Sequence, residues 1–281
     1  MALFKQVTIV GLGLIGGSLG MAVKRKRLAS TVVGLSRTRA TLREAKRRRA
    51  IDAGTTDPRE AVRDADLVIL ATPVDAIPPF AKRLSRFMKP GSVLTDVGST
   101  KAAIVKAIES RVPSGVSFVG GHPIAGSERH GLDAASGGLF DDSLCILTPT
   151  SRTAPRALAA VKRLWAPLVS GIVTMSPAQH DRLLAAASHL PHLLAFCLAA
   201  AAGRVPLRRS PRSLLDMTRL AESCPELWDD IFLTNRAPLR VAIGRFDREW
   251  RRLRAAVARG DRTELLRLLR RAQSARHALN E

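Results

Sequence analysis

Three glycines, Gly11, Gly13 and Gly16, follow directly on the β-branched run Val7–Val10 and open onto Ser18-Leu19-Gly20-Met21-Ala22-Val23. A strand that ends in G-x-G-x-x-G and runs into a helix of small residues is the first crossing of a nucleotide-binding βαβ unit. Gly11 permits the tight turn, Gly13 lets the backbone approach a pyrophosphate, and Gly16 lets the helix lie against the sheet. The helix N-terminus then offers N–H groups and a positive dipole end to the anion. Gly11, Leu12, Gly13, Leu14, Ile15 and Gly16 are therefore candidate cofactor contacts. A second strand, Thr31–Leu35, follows at βαβ spacing.

The end of that second strand selects the dinucleotide. An acid there accepts hydrogen bonds from the adenosine ribose and favours NAD. This chain has Ser36-Arg37-Thr38-Arg39 instead. An Arg can pair with a 2′-phosphate that an acid would repel, so Ser36 and Arg37 favour NADP over NAD.

Further strands are predicted at Asp66–Ala71, Ser92–Val97 and Val116–Val119. Near-continuous apolar runs of this length suit a parallel sheet covered on both faces. Each run ends in polar residues: Thr72, a further candidate cofactor contact; Ser99; and Gly120-Gly121-His122-Pro123. Open α/β sheets bind ligands at this rim, so Ser99 and His122 belong beside the glycine loop.

From about Ser176 the pattern is helical. Ser176-Pro177-Ala178-Gln179 supplies an N-cap, a first-turn proline and a capping box. Within this helix Ser188, His189 and His192 are polar in apolar surroundings, and Pro191 removes a helix hydrogen bond beside them. Arg219 has acids three residues to either side, Asp216 and Glu222. Phe246, Trp250, Leu253 and Val257 recur at helical steps. After Gly260 a second capping box, Asp261 to Glu264, opens a Leu-rich helix. Such a stripe at a chain end meets another subunit or the same domain's core, and a homodimer is expected. The expected fold is thus an α/β Rossmann-type nucleotide-binding domain, residues 1–174, followed by an all-α domain, residues 175–281.

Composition removes several classes. No apolar stretch approaches the ~20 residues needed to span a bilayer, and the start lacks the order of a secretion signal. The cysteines Cys145, Cys197 and Cys224 have no disulfide or metal-ligand pattern and read as three buried thiols in a reducing cytoplasm, with no metal site. The net charge of +21 is spread along the chain, with 26 basic against 13 acidic residues through Thr174 and 19 against 11 after it. Tyr is absent and aromatics are 4%, too few for base-stacking platforms, which argues against a nucleic-acid role.

Taken in order, GLGLIGGSLG, DVGSTK, GGHPIAGSE, MSPAQHD, SHLPH and DMTRLAESCPELWDDI resemble the prephenate/arogenate dehydrogenase family of tyrosine biosynthesis over nearly the whole chain. The resemblance implies NAD(P)-dependent oxidative decarboxylation, giving 4-hydroxyphenylpyruvate from prephenate or tyrosine from arogenate. It implies that His122 is the catalytic base toward the substrate 4-hydroxyl and that Ser99 hydrogen-bonds that hydroxyl or His122. It further implies that Ser127, His189, His192 and Arg219 bind the carboxylates and side chain of a dianionic substrate, and that residues 175–281 form the substrate-binding and dimerisation domain of a homodimer. Leu215 stands where several members carry a basic residue, and Ser36-Arg37 where an acid is common. Two other readings are weaker. A β-hydroxyacid dehydrogenase would use a catalytic Lys on a helix, and no Lys follows Lys162. A non-enzymatic basic binding protein would have no need to retain His122 and Gly13.

Overall fold

The computed structural model describes residues 2–127, 129–203 and 211–278. Eight strands form one sheet: β1 Phe4–Val10, β2 Ala29–Leu35, β3 Ala53–Thr55, β4 Leu67–Leu70, β5 Val93–Asp96, β6 Ser117–Pro123, β7 Leu144–Thr148 and β8 Gly171–Thr174. Their order is β3-β2-β1-β4-β5-β6-β7-β8. All neighbouring pairs are parallel except β6 and β7, which run antiparallel. The first six strands have the doubly wound order in which the chain reverses direction across the sheet between β1 and β4.

The helices among the described residues are α1 Leu14–Arg25, α2 Arg39–Arg47, α3 Pro58–Val62, α4 Ile77–Leu84, α5 Ala102–Glu109, α6 Pro155–Trp165, α7 Pro177–Leu184, α8 Leu190–Ala202, α9 Arg212–Thr218, α10 Pro225–Thr234, α11 Arg236–Ala258 and α12 Arg262–His277. One apolar cluster holds Leu19 and Val23 of α1 with Leu164 and Trp165 of α6. A second holds Ile77 and Leu84 of α4, Ile104 and Ile108 of α5, and Trp228 and Ile231 of α10. Strand β4 feeds both clusters and is buried throughout, as the continuous Leu-Val-Ile-Leu run requires. Each large apolar side chain buried this way stabilises the fold by about 1.5–3 kcal/mol.

Strand β6 runs four residues beyond the expected Val119, because β7 adds an antiparallel ladder that pairs His122 with Ile146. His122 therefore sits inside a strand, with its backbone fixed, and not in the following loop. The short strands β3 and β8 lack apolar runs of their own and are defined by pairing alone.

Ser176 closes both halves of its capping box with Gln179 and starts α7. Helix α7 continues through one wide π-type turn, Ala185–His189, into α8. A π turn is where a helix accommodates a break in its bonding ladder, and here it stands just before Pro191. This run, Pro177–Ala202, corrects one expectation. It is long and apolar enough by length and composition to cross a membrane, because its alanines and leucines outweigh its few polar residues. Three of those polar residues, His180, Asp181 and His189, are buried and hydrogen-bonded within the protein, although only 22% of the run's most apolar stretch is buried. The cysteines also depart from expectation: Cys145 is buried in β7, Cys224 is half-buried, and Cys197 on α8 is exposed.

By compactness the chain divides into Met1–Asn235 and Arg236–Glu281, later than the division read from sequence. The second unit is a helical hairpin of α11 and α12, joined at Gly260, whose φ is +62°. Asp261 caps α12 by accepting from the Glu264 N–H at 3.0 Å, and Arg271 pairs with Glu249 across the hairpin. Phe246, Trp250, Val257, Leu266 and Leu269 remain exposed on it, Val257 by 65% and Trp250 by 52%. A groove of about 440 Å³ is lined by Val257, Leu265, Leu266 and Leu269 among others.

Candidate active site

The glycine loop has the close packing its motif demands. Gly11 adopts φ +90°, and a side chain there would stand 2.5 Å from the Ala71 carbonyl oxygen. A Cβ on Gly16 would lie 1.9 Å from the carbonyl oxygen of Gly11. Gly13 is different: a Cβ there would meet nothing within 4 Å, so no internal contact requires glycine at that position. Gly13 is also the N-cap of α1, and no side chain caps that helix. Its first N–H groups are thus available to an anion at the switch point between β1 and β4. Leu12 is buried and Leu14 and Ile15 begin α1. These residues fit the pyrophosphate of a dinucleotide.

Strand register sets the order of the other rim residues. Ser36 and Arg37 follow β2, the glycine loop follows β1, Thr72 follows β4, Ser99 follows β5, and His122 lies one residue before the end of β6. From β2 to β6 the rim spans four strand spacings, about 19 Å. Ser36 is half-buried, with its N–H bonded to the Thr55 carbonyl at 3.4 Å, and Arg37 is exposed. Thr72 is half-buried, and Ser99 lies between the buried residues Gly98 and Thr100.

His122 is held by a chain of side chains that the sequence reading did not single out. Its Nδ1 lies 2.8 Å from Nε2 of His180. Nδ1 of His180 lies 2.9 Å from the Asp181 carboxylate. Burial alone would raise the Asp181 carboxyl, but bonds from His180 and from the Ala102 and Lys101 N–H groups hold it below its ordinary value. An ionised Asp181 only accepts, so His180 carries its proton on Nδ1. Burial, with help from the Lys101 charge, keeps His180 neutral against the pull of Asp181. Nε2 of His180 is then an acceptor, His122 must donate from Nδ1, and Nε2 of His122 keeps a lone pair. Burial, then the neighbouring His180, Lys101 and His189, push the His122 pKa well below 6.5. The ring is a neutral base whose basic atom is fixed by its neighbours.

Lys101 and Asp96 form a fully buried ion pair beneath this relay. Asp96 also accepts from the N–H groups of Gly98, at 2.9 Å, and Gly121, at 3.2 Å. It thereby ties the loop carrying Ser99 to the strand carrying His122. Removing one partner of such a pair costs about 3–5 kcal/mol.

The remaining predicted residues divide into two groups. His189 is buried in the wide turn and lies near Asp181, His180 and His192; burial, as the largest cause, lowers its pKa to about 4. The Asn235 amide nitrogen lies 3.0 Å from its Nδ1 and donates to the Asp181 carbonyl at 2.8 Å. Asn235 Oδ1 is buried without a hydrogen-bond partner, a deficit worth about 1–3 kcal/mol. His192 donates from Nδ1 to the Ser188 carbonyl at 2.9 Å and stacks on Trp228, with ring centroids 3.6 Å apart. Burial chiefly lowers the His192 pKa, and the Arg219 charge adds to this, which brings Arg219 into its neighbourhood. Ser127 is exposed, and its hydroxyl accepts from the Arg129 N–H at 3.0 Å.

His180, Asp181, Lys101, Asp96, Asn235 and Trp228 were not anticipated. The adjacent His-Asp pair just inside a capped helix was the available signal, and nothing local tells that its side chains turn inward.

A glycine loop at the switch point and a buried neutral histidine on the same rim fit a nicotinamide-dependent dehydrogenase. Comparison with known proteins narrows the class. Residues 19–174 match the prephenate dehydrogenase nucleotide-binding domain, and residues 176–271 the prephenate dehydrogenase dimerization domain. The chain is 37% identical to cyclohexadienyl dehydrogenase of Zymomonas mobilis, over 99% of this chain and 97% of that protein. Its fold is similar to that of prephenate dehydrogenase from Aquifex aeolicus, solved with hydroxyphenyl propionate and NAD+, with TM-score 0.90, 32% identity and 98% of each chain covered. It is also similar to Synechocystis arogenate dehydrogenase, with TM-score 0.82, 30% identity, 98% of this chain and 99% of that one covered. The chain belongs to the prephenate dehydrogenase family and is an oxidoreductase of that kind.

Proposed function

We propose that this chain carries out NAD(P)-dependent oxidative decarboxylation of prephenate or arogenate, with His122 as the general base. The observation that carries this reading is the Asp181–His180–His122 relay, which leaves a lone pair on His122 Nε2 beside the nucleotide rim. The nicotinamide, when bound, supplies the hydride acceptor. His122 accepts the proton of the ring 4-hydroxyl as that carbon becomes a carbonyl. Loss of the ring carboxylate as carbon dioxide makes the ring aromatic, and His122 returns its proton to the resulting phenolate. Ser99, which follows β5 next to β6, hydrogen-bonds the hydroxyl or His122. Ser127, His189, His192 and Arg219 hold the carboxylates and side chain, Arg219 by bidentate pairing.

In this reading residues 1–174 bind the nucleotide and residues 175–281 contribute substrate contacts and dimerisation. Three free cysteines suit a cytoplasmic enzyme. The apolar stripe on α11 and α12, from Phe246 to Leu269, supports a homodimer. Sedimentation at micromolar concentration should therefore give twice the chain mass, and changing Val257 and Leu269 to Asp should give monomers. A monomer from the unaltered chain would contradict the stripe's role.

The test of the reaction is an assay of prephenate and arogenate, each with NAD and NADP, followed at the absorbance of the reduced nicotinamide. His122→Asn should lower kcat by about 10²–10⁴ with little change in KM. Because the neutral ring is the active form and its pKa is depressed, kcat/KM should be level near neutrality. It should fall only as pH drops through a value well below 6.5. Near wild-type turnover in His122→Asn would overturn the assignment.

Ser36 and Arg37 favour NADP, since no carboxylate stands at the end of β2 to repel a 2′-phosphate. A charge-assisted contact of about 1.5–3 kcal/mol gives roughly 10- to 150-fold in affinity. The expected result is a larger kcat/KM with NADP than with NAD, reversed by Ser36→Asp. Preference of the unaltered enzyme for NAD would show that Arg37 takes no part in the choice.

A further inference from the structure

We infer that Asn235 is a positioning residue that fixes the tautomer of His189, so that His189 presents an Nε2–H donor, and not a lone pair, to an anionic ligand. The inference rests on the reading of His189 as a substrate contact. Asn235 follows α10 and is buried to 1% exposure. Its amide orientation is determined by the Asp181 main-chain carbonyl, 2.8 Å away. A carbonyl only accepts, so the Asn235 atom facing it must be nitrogen. The same nitrogen lies 3.0 Å from Nδ1 of His189. Its second hydrogen therefore meets Nδ1, which must carry a lone pair.

His189 is neutral near pH 7, since burial lowers its pKa to about 4. A neutral imidazole holds one hydrogen, and with Nδ1 occupied as an acceptor that hydrogen is on Nε2. His192, three residues on, has the opposite form. Its Nδ1 donates to the Ser188 carbonyl at 2.9 Å, which leaves Nε2 as the acceptor while the ring is neutral. Two histidines of one helix thus offer one donor and one acceptor, and the difference follows from what each Nδ1 faces.

Both amide hydrogens are used, one on Asp181 and one on His189. Asp181 consequently acts on three histidines: its carboxylate orients His180 and, through it, His122, while its main chain orients Asn235 and, through it, His189.

The experiment is nitrogen-15 NMR of the ring nitrogens in the unliganded protein near pH 7, with His189→Gln to assign the signal. The expected spectrum has His189 protonated on Nε2 and bare at Nδ1. In Asn235→Asp the carboxylate accepts from Nδ1, so the two shifts should exchange or both nitrogens become protonated. Asn235→Leu, which removes the donors and keeps the bulk, should release the preference if the Asp variant does not fold. A wild-type His189 protonated on Nδ1, or a tautomer unchanged in a folded variant, overturns the inference, and the wild-type spectrum alone can do so. With prephenate and arogenate as probes, a reversed tautomer should raise KM about tenfold or more, with nucleotide KM unchanged. A reversed tautomer with unchanged substrate KM overturns the donor role of His189, whereas absence of turnover in the unaltered enzyme overturns the dehydrogenase reading instead.

Discussion

The Asp181 carboxylate joins the two halves of the first compact unit. It accepts from the N–H groups of Lys101, at 2.7 Å, and Ala102, at 2.9 Å, where α5 begins, and it holds His180 at 2.9 Å. A buried carboxylate is costly unless it is met by several donors, and three such bonds favour its charged form against burial. The contacts are reciprocal in effect. They satisfy N–H groups that the start of any helix leaves unpaired, and they pin α7 to the segment that follows β5. His122 inherits its orientation from this arrangement, because each ring in the chain has its tautomer decided by the one before it.

Charge beneath the relay has a separate role. Lys101 is close enough to His122 and His180 to disfavour protonation of both. Its own charge is neutralised by Asp96, whose other oxygen contacts reach Gly98 and Gly121. A buried pair of this kind adds little net stability and mainly specifies geometry. Here it links the carboxyl ends of β5 and β6, the two strands whose ends carry Ser99 and His122. The net charge of +21 is a different matter. Arg47 with Glu44, Arg251 with Asp247, and Arg267 with Glu264 are exposed neighbours along single helices, and such pairs contribute little.

Much of the nucleotide half was legible because its signals are local. The glycine loop announces its own geometry, and short apolar runs such as Leu67–Leu70, at βαβ spacing, suit buried strands. The Ser176–Gln179 cap was readable for the same reason. What failed was non-local. β3 and β8 exist through pairing, and the antiparallel partner β7 moved His122 from an expected loop into a strand. His180 and Asp181 look like ordinary polar residues of a helix until Lys101, 80 residues away along the chain from Asp181, is brought against them. Asn235 gives no sequence signal at all, since its function depends on a carbonyl and a ring from another helix. Cys197 was misjudged because the apolar stretch around it is not buried on every side.

In the proposed mechanism Asp181, acting through His180, sets His122 as a base with its lone pair on Nε2. Asp181→Asn tests it most directly, because asparagine keeps an oxygen for the start of α5 but carries no charge to hold His180 in its tautomer. Steady-state kinetics should show kcat reduced by about 10²–10⁴, with nucleotide KM close to that of the unaltered enzyme and a lower unfolding temperature, because one amide oxygen replaces the two carboxylate oxygens that serve Lys101, Ala102 and His180. A variant that turns over at nearly the original rate would contradict the account, since His122 would then be a competent base without the relay.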